Sequence, residues 1–253
     1  MSYRAIRQKF SSLVMSNGSL RRAWINMQSL PARSFFHSSA RKRSWSEAGE
    51  DEVLLELAQD HLENGFYVDV GANLPTKRSN TFRLYCHGMS GVCVEPNLEL
   101  AALFERARPR DQVVCAAVGN ELGITQLHRF NYHVYSTCSE EQGSKRKESA
   151  SARMRTRLLR KSPVPMISLR MLLKDVVASF DGVFFLLNTD TEGFDSEVLH
   201  SNDWEKFRPL YILTESTGDA NEVRSFLEEN DYELFKEFPV NQLFACQRSN
   251  NAC

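Results

Sequence analysis

The sequence is short of several things that would point to other classes of protein. It has six cysteines in 253 residues (Cys86, Cys93, Cys115, Cys138, Cys246 and Cys253), and no two form a CxxC pair or a metal-ligand spacing. No metal site, zinc included, is therefore expected, and scattered thiols of this kind suit a reducing compartment. No apolar run approaches the roughly twenty residues of a membrane-spanning helix. The run Val183 to Leu187, for one, has the length of a buried strand. A full GxGxxG is missing, which argues against a dinucleotide fingerprint, and no internal repeat suggests a solenoid. The first 46 residues contain no Asp or Glu at all.

That last absence makes the near-neutral net charge of −1 misleading. The acid-free leader holds nine Lys or Arg, which leaves 22 of the 31 basic residues to face all 32 acidic ones in the remainder. The leader is Ser-rich and has no continuous apolar core, so it does not read as a secretory signal. Three readings remain: a mitochondrial transit peptide ending near Ala32 to Ser39, a tail for anionic lipid or nucleic acid, or a solvated extension. The compartment is accordingly cytoplasmic, or the mitochondrial matrix if the leader is a transit peptide. The expected organisation is a leader over 1–46 followed by one domain over 47–253.

Within that domain the hydrophobic pattern alternates. Helical spacing from Asp51 to Leu62 is followed by a β-rich run from Phe66 to Val70 ending in Gly71-Ala72-Asn73. A helix over Thr81 to His87, a strand over Gly91 to Val94, a helix over Leu98 to Arg106 and a strand over Val113 to Val118 come next. Strands alternating with helices indicate a parallel sheet covered on both faces. The middle departs from this rhythm. Ile124 to Val134 predicts one or two extra strands. The stretch from 136 to 162 is a polar insert with eight Lys or Arg between Lys145 and Lys161. Extended chain over Pro165 to Leu169 and a helix over Leu169 to Val177 follow. The pattern continues with a central strand over Val183 to Thr189, a helix from Asp195 to His200, a strand over Leu210 to Thr214 and a helix over Asn221 to Asn230. Tyr232 to Phe238 and Gln242 to Cys246, separated by Pro239-Val240-Asn241, suit a terminal antiparallel hairpin.

Three fragments carry candidate chemistry, and each sits just after a strand. In open α/β sheets ligands occupy the crevice outside the carboxyl ends of the strands. Asp69, Gly71 and Asn73 lie at the first such end, where glycine permits close approach to the backbone; the alternative is a plain strand-to-helix turn. Glu95, at the end of the next strand, could accept hydrogen bonds from both hydroxyls of a ribose, or could be a surface residue before Pro96. Asn188-Thr189-Asp190-Thr191-Glu192-Gly193 follows the most apolar strand. Carboxylates there are costly to bury without a purpose. They could serve as a general base, hold the amino end of a cofactor or hold a cation, or Asp190 or Asp195 could simply cap a helix.

Together these pieces resemble the FkbM family of methyltransferases. The resemblance rests on Gly49-Glu50-Asp51, Tyr67 to Asn73, Ser79-Asn80-Thr81 with Gly88 to Gly91, Val94 to Asn97, Val164-Pro165 with Ser168-Leu169, and Asp190 to Asp195. It implies a Rossmann-like class I methyltransferase fold, an S-adenosylmethionine cofactor and O-methylation of a hydroxyl on a small molecule or glycan. Carried over, Asp69, Gly71 and Asn73 would line the methionine end of the cofactor, and Glu95 and Asn97 would meet its ribose. Asp190 and Glu192 would face the transferred methyl group. Candidate bases are Asp190 first, Glu192 second and His133 third, the last within the aromatic stretch Phe130 to Tyr135. One departure stands out: the strand before Asp190 ends in Leu187-Asn188, where relatives more often carry Lys followed by an aliphatic residue.

Rival functions are a nucleic-acid methyltransferase or RNA-binding protein using the two basic segments, and a degenerate fold serving as an interaction module. The basic insert has no aromatic residue between Lys145 and Lys161 for base stacking, which does not favour a nucleic-acid partner. Retention of Asp69, Gly71, Glu95, Asp190 and Glu192 argues against the degenerate module. The leader, lacking acidic partners and a sustained amphipathic pattern, is expected to be dispensable for folding. Limited proteolysis should trim the chain to near Ser44 and leave the domain folded; a leader as protease-resistant as the core would contradict this.

Overall fold

The structure is a computed structural model that describes residues 44–120, 122–149, 156–177, 179–216 and 220–248. The leader readings therefore lie outside the described residues except at 44–46. Those three residues are tied to the domain by Asp51. Ser44 Oγ (2.6 Å), Ser46 Oγ (2.9 Å) and the Trp45 backbone N–H (2.9 Å) all donate to its carboxylate. Arg83 pairs with the same group at 2.9 Å. This donor set holds the buried Asp51 carboxyl below the usual carboxylate range despite burial, which pushes the other way. Glu50 beside it accepts from Asn241 Nδ2 at 2.7 Å, so Gly49-Glu50-Asp51 works as a clamp joining the start of the domain to its end.

The elements follow in the expected order. Helix α1 (Glu50–Leu57) precedes β1 (Gly65–Val70), α2 (Phe82–Cys86), β2 (Ser90–Val94), α3 (Leu98–Ala107) and β3 (Gln112–Val114). After an excursion described below come α5 (Leu169–Val177), β7 (Val183–Thr189), α6 (Asp195–His200), β8 (Tyr211–Glu215), α7 (Ala220–Glu229), β9 (Tyr232–Glu237) and β10 (Asn241–Cys246). These strands make a seven-stranded sheet ordered β3-β2-β1-β7-β8-β10-β9. The β1–β2, β2–β3, β1–β7 and β7–β8 pairs are parallel, while β10 runs antiparallel to β8 and β9. This is the mostly parallel sheet with an antiparallel C-terminal hairpin that the sequence predicts.

Strand alternation divides the core into two layers. Phe66, Val68 and Val70 of β1 pack with Leu172 and Leu173 of α5, Val198 of α6 and Leu227 of α7. Tyr67 packs on the other face with Leu54 of α1, Leu84 of α2 and Phe104 of α3. The chain leaving β1 therefore enters a helix on one face, and the chain leaving β7 enters a helix on the other. The sheet order turns back at β1, with β2 on one side and β7 on the other, so a crevice opens between the ends of β1 and β7.

Two stretches differ from expectation. The strand predicted over Val113 to Val118 is two strands, β3 and β4 (Ala117–Val118), because the chain leaves the main sheet at Cys115-Ala116. It enters a second sheet ordered β4-β6-β5, in which β5 (Gly123–Phe130) pairs antiparallel with β6 (Leu158–Ile167). One long strand thus replaces the possible pair over Ile124 to Val134, and a 3-10 turn over His133–Tyr135 ends the stretch. The polar insert contains α4 (Glu140–Ser149), and its last residues belong to β6. The cysteines also divide: Cys86, Cys93, Cys115 and Cys138 are free thiols, whereas Cys246, also expected to be free, is disulfide-bonded.

Gly71 shows how tight the crevice floor is. Its φ is +81°, and a Cβ there would lie 2.0 Å from the Asp190 carbonyl oxygen. What approaches Gly71 is the backbone leaving β7. Gly71→Ala should therefore lower stability by about 1–3 kcal/mol from backbone strain alone, with more from the clash. A thermal melt compared with wild type measures it, and an unchanged midpoint would show that the two strand ends can separate freely.

Candidate functional site

A cleft of about 500 Å³ opens at the carboxyl ends of β1, β2, β7 and β8. The turn after β1 supplies Gly71 and Asn73, the 78–80 segment supplies Arg78, Ser79 and Asn80, and the second sheet with its 3-10 turn supplies the opposite wall. Asp69, Gly71, Asn73, Glu95, His133, Asp190 and Glu192 all line it, so these sequence-predicted residues come together from positions as far apart as 69 and 192. Asn97 is the exception and does not line the cleft. Its side chain accepts from the Glu99 backbone N–H at 3.2 Å and caps α3, while its own N–H donates to Glu95 Oε1 at 2.7 Å. It orients Glu95 and leaves the cleft to it.

Glu95 is 6% exposed. Its other oxygen, Oε2, accepts from the Asn73 backbone N–H at 2.9 Å. Burial raises its pKa to about 7, opposed by these two N–H donors. Each oxygen carries one protein donor and keeps lone-pair capacity toward the cleft. Asp69 is held at both oxygens. Thr81 Oγ donates to Oδ2 at 2.6 Å, and Asn188 Nδ2 donates to Oδ1 at 2.8 Å. Asn188, the departure from the family pattern, in turn accepts from Asn80 Nδ2 at 3.0 Å. Burial raises the Asp69 pKa, and the nearby Arg108 guanidinium is the main influence lowering it.

The other wall concentrates carboxylates. Burial pushes Asp190 well above the usual carboxylate range, and the neighbouring charges that bear on it most, Glu215, Glu192, Asp195 and Asp69, are all acidic. Burial and Glu215 raise Glu192 and Asp195 to about 7. Glu192 has one cation, Arg146 of α4, whose Nη2 donates to it at 2.6 Å while Nη1 donates to the Tyr135 carbonyl at 2.9 Å. The polar insert thus places one of its arginines at the cleft. Gln142, one turn earlier, sits where a Cβ on Gly193 would meet it at 2.6 Å. His133 is 6% exposed on the same wall. Asn73, Arg78 and Glu192 have positive φ (53°, 52° and 59°), so most of the left-handed non-glycine residues among those described lie on the cleft. Backbone strain of this kind concentrates where function fixes geometry.

Sequence reasoning missed Glu215 and Arg146 as residues of the cleft and gave Asn188 no role. Glu215 had a usable signal, since it ends β8 as Glu95 follows β2 and Asp190 follows β7. Arg146 had none, being one cation among eight in a polar segment. Among the described residues no group of three or more His, Cys, Asp or Glu is arranged to hold a metal, and no helix is long and apolar enough to cross a membrane.

The crowding of carboxylates has a testable sign. Asp195 titrates at about 7 in the fold, against about 3.9 for an unperturbed Asp. A raised carboxyl pKa favours the protonated fold, so its contribution is complete below the unfolded pKa and is lost as pH rises through 7. Asp195→Asn should melt several degrees higher than wild type at pH 8 and at nearly the same temperature at pH 4. Equal differences at both pH values would show that the Asp195 carboxyl is not raised in the fold.

The comparisons with known proteins fit this geometry. The model of the methyltransferase FkbM domain matches residues 69–234, from the floor of the cleft into the terminal hairpin. A search of curated protein sequences gives no match. Among solved structures, PH1948 from Pyrococcus horikoshii, described provisionally as an RNA methyltransferase, aligns at 11% identity with a TM-score of 0.39. That alignment covers 78% of this chain and 84% of that one, a likeness too distant to argue from. The family match spans well over half of the sequence and includes Asp69, Glu95, Asp190 and Glu192: the chain belongs to the FkbM methyltransferase family.

Proposed function

We propose that this methyltransferase uses S-adenosylmethionine to methylate a hydroxyl on a small molecule or glycan. The observation that carries the reading is the convergence of two unlike walls on one cleft. On one are Asp69, Gly71, Asn73 and Glu95, and on the other a group of largely buried carboxylates around Asp190. The residues fit the cofactor. The cleft volume lies within the roughly 300–1,000 Å³ typical of small-molecule sites. Glu95 has an oxygen available for each of two ribose hydroxyls, and Asn73 Oδ1 is buried with no hydrogen-bond partner among the described residues.

S-adenosylmethionine, when bound, supplies a methyl group already activated on a sulfonium. The protein has three tasks. Glu95 and Asp69 orient the cofactor, the 3-10 turn and α4 limit access of water, and a carboxylate takes the acceptor proton. Asp190 is the leading base. Its raised pKa comes from burial and from acidic neighbours, so the ionised form is a stronger proton acceptor than an exposed aspartate. Glu192 is second because Arg146 already holds it, and His133 is third.

The charge of the cleft favours a neutral acceptor over nucleic acid. Glu47, Asp69, Glu95, Asp190, Glu192 and Glu215 line it against Arg78 and Arg146. Both arginines are paired to cleft carboxylates, Arg78 to Glu47 and Arg146 to Glu192. A phosphate backbone would meet repulsion there. The insert's Lys145 and Lys161 are likewise paired within it or beside it, to Glu141 and Glu140.

Calorimetry on the full chain should detect S-adenosylmethionine or its demethylated product, and a folded protein that binds neither would end the proposal. Screening metabolite extracts for the mass gain of a methyl group then identifies the acceptor. With an acceptor in hand, Asp190→Asn should lower turnover by about 10²-fold or more, the low end for general-base catalysis, and change cofactor affinity much less. Collapse of affinity with turnover retained would make Asp190 a cofactor contact. Survival of both would remove it from the mechanism.

A further inference from the structure

Arg108 lies outside the cleft, is fully buried, and has five described partners. It follows α3, and its Nε pairs with Asp111 at 2.6 Å. Nη2 donates to Tyr67 Oη at 2.7 Å and to Thr81 Oγ at 3.0 Å. Nη1 reaches Ser79 Oγ at 3.3 Å and the Pro75 carbonyl at 3.4 Å. Phe104, Tyr67 and Tyr85 surround the guanidinium with ring faces. One side chain thereby fastens β1 to the 75–81 segment, and both contribute to the cleft wall.

The direction of the hydrogen bonds gives this arrangement a function. Thr81 has one hydroxyl proton, and Arg108 has only protons to give. Arg108 therefore fills an acceptor site on Thr81 Oγ and leaves the Thr81 proton for Asp69 Oδ2 at 2.6 Å. On the other side of the same carboxylate Asn80 donates to Asn188, and Asn188 to Asp69 Oδ1. We infer that Arg108 and Thr81 are positioning residues that fix the Asp69 carboxylate, and its charge, for the cofactor from behind the sheet. The inference rests on the reading that Asp69 faces the cofactor. Among the described residues the charged groups that bear most on Asp69 or feel its charge are Arg108 after α3, Asp111 before β3, Glu95 after β2 and Asp190 after β7. Arg108 is the one cation in that set, so it and the neutral donors are what favour the charged form of Asp69 against the burial that disfavours it. Asn188 contributes a hydrogen bond and no charge.

The test measures binding of the demethylated cofactor product by calorimetry from pH 5 to pH 9, with apo-protein melting temperatures recorded in parallel. Thr81→Val keeps the shape and removes the hydroxyl; Thr81→Ser restores it. Thr81→Val should weaken binding about tenfold or more, the usual loss for a hydrogen bond to a charged group. It should also move the acid limb of the binding profile to higher pH. Thr81→Ser should recover both. Arg108→Lys, which keeps a charge but not the fork, should show the same upward movement if it folds, and the Thr81 pair decides the matter if it does not. Thr81→Val binding like wild type while Asp69→Asn binds poorly overturns the inference. So does equal weakening by Thr81→Val and Thr81→Ser, which would show that packing is all that matters. If Asp69→Asn itself binds like wild type across the range, the reading that Asp69 faces the cofactor fails first, and separately.

Discussion

The cleft exists because two parallel strands run side by side to their ends and then part. The Asp190 N–H donates to the Val70 carbonyl at 3.0 Å, and the Asp190 carbonyl packs against the bare Cα of Gly71. Beyond that contact the chain leaves toward opposite faces, into the 75–81 segment and α2 on one side and α6 on the other. Register does the rest. Asp69 stands directly opposite Asn188, and Cys93 stands opposite Asp69 on the other neighbour. A one-residue slip would turn Asp69 from the face shared with Thr81 and Arg108 to the face packed by Leu172 and Leu173. The apolar run of β7 holds that register because both its faces are buried.

Charge is then placed where the fold resists it. Ionised carboxylates at a poorly solvated strand end cost free energy unless donors or cations meet them. The two walls answer this differently. Asp69 and Glu95 are met by fixed donors: a hydroxyl and an amide for the first, two backbone N–H groups for the second. Asp190, Glu192 and Asp195 crowd together beside Glu215, with Arg146 donating to Glu192 and the Thr191 N–H to Asp195, and burial together with these like charges raises the pKa of all three. The first pattern suits groups that hold a ligand in one orientation. The second suits groups that exchange a proton near neutral pH.

The parts readable from sequence were those in which local chemistry and global position agree. Phe66 to Asn73 announces itself because a β-rich run ends in a glycine that the turn needs. Val183 to Asp190 does so because an apolar strand ends in sudden polarity. Glu95 was found by its place after a strand, and Glu215 could have been found by the same rule. Asn97 was misplaced because a family motif names a residue without saying which way its side chain points; here it turns back to cap α3. Cys115-Ala116 hid the break between β3 and β4, since the apolar character continues while the partner strand changes. Arg108 was invisible for a different reason. Its partners at 67, 75, 79 and 81 are nearly thirty residues or more away in sequence, and no periodicity links a helix-end arginine to a carboxylate on a strand.

The insert completes the argument about where chemistry can occur. It closes the carboxylate wall through contacts that need small residues: Gly143 lies against the His128 ring, and Gly193 lies beneath Gln142. These set α4 close enough for Arg146 to reach Glu192 and the Tyr135 carbonyl together. The pairing separates two carboxylates that lie only two residues apart. Glu192 accepts from a guanidinium at one oxygen, which favours its ionised form against the burial and the Glu215 charge that raise its pKa to about 7. Asp190 is pressed chiefly by negative neighbours, which strengthen its hold on a proton. Two acids in one cleft thereby have unlike surroundings, a guanidinium beside one and chiefly carboxylates beside the other. On the function proposed above, an acceptor entering between the insert and β7 would meet Glu192 already engaged by Arg146, which leaves Asp190 as the carboxylate to take its proton.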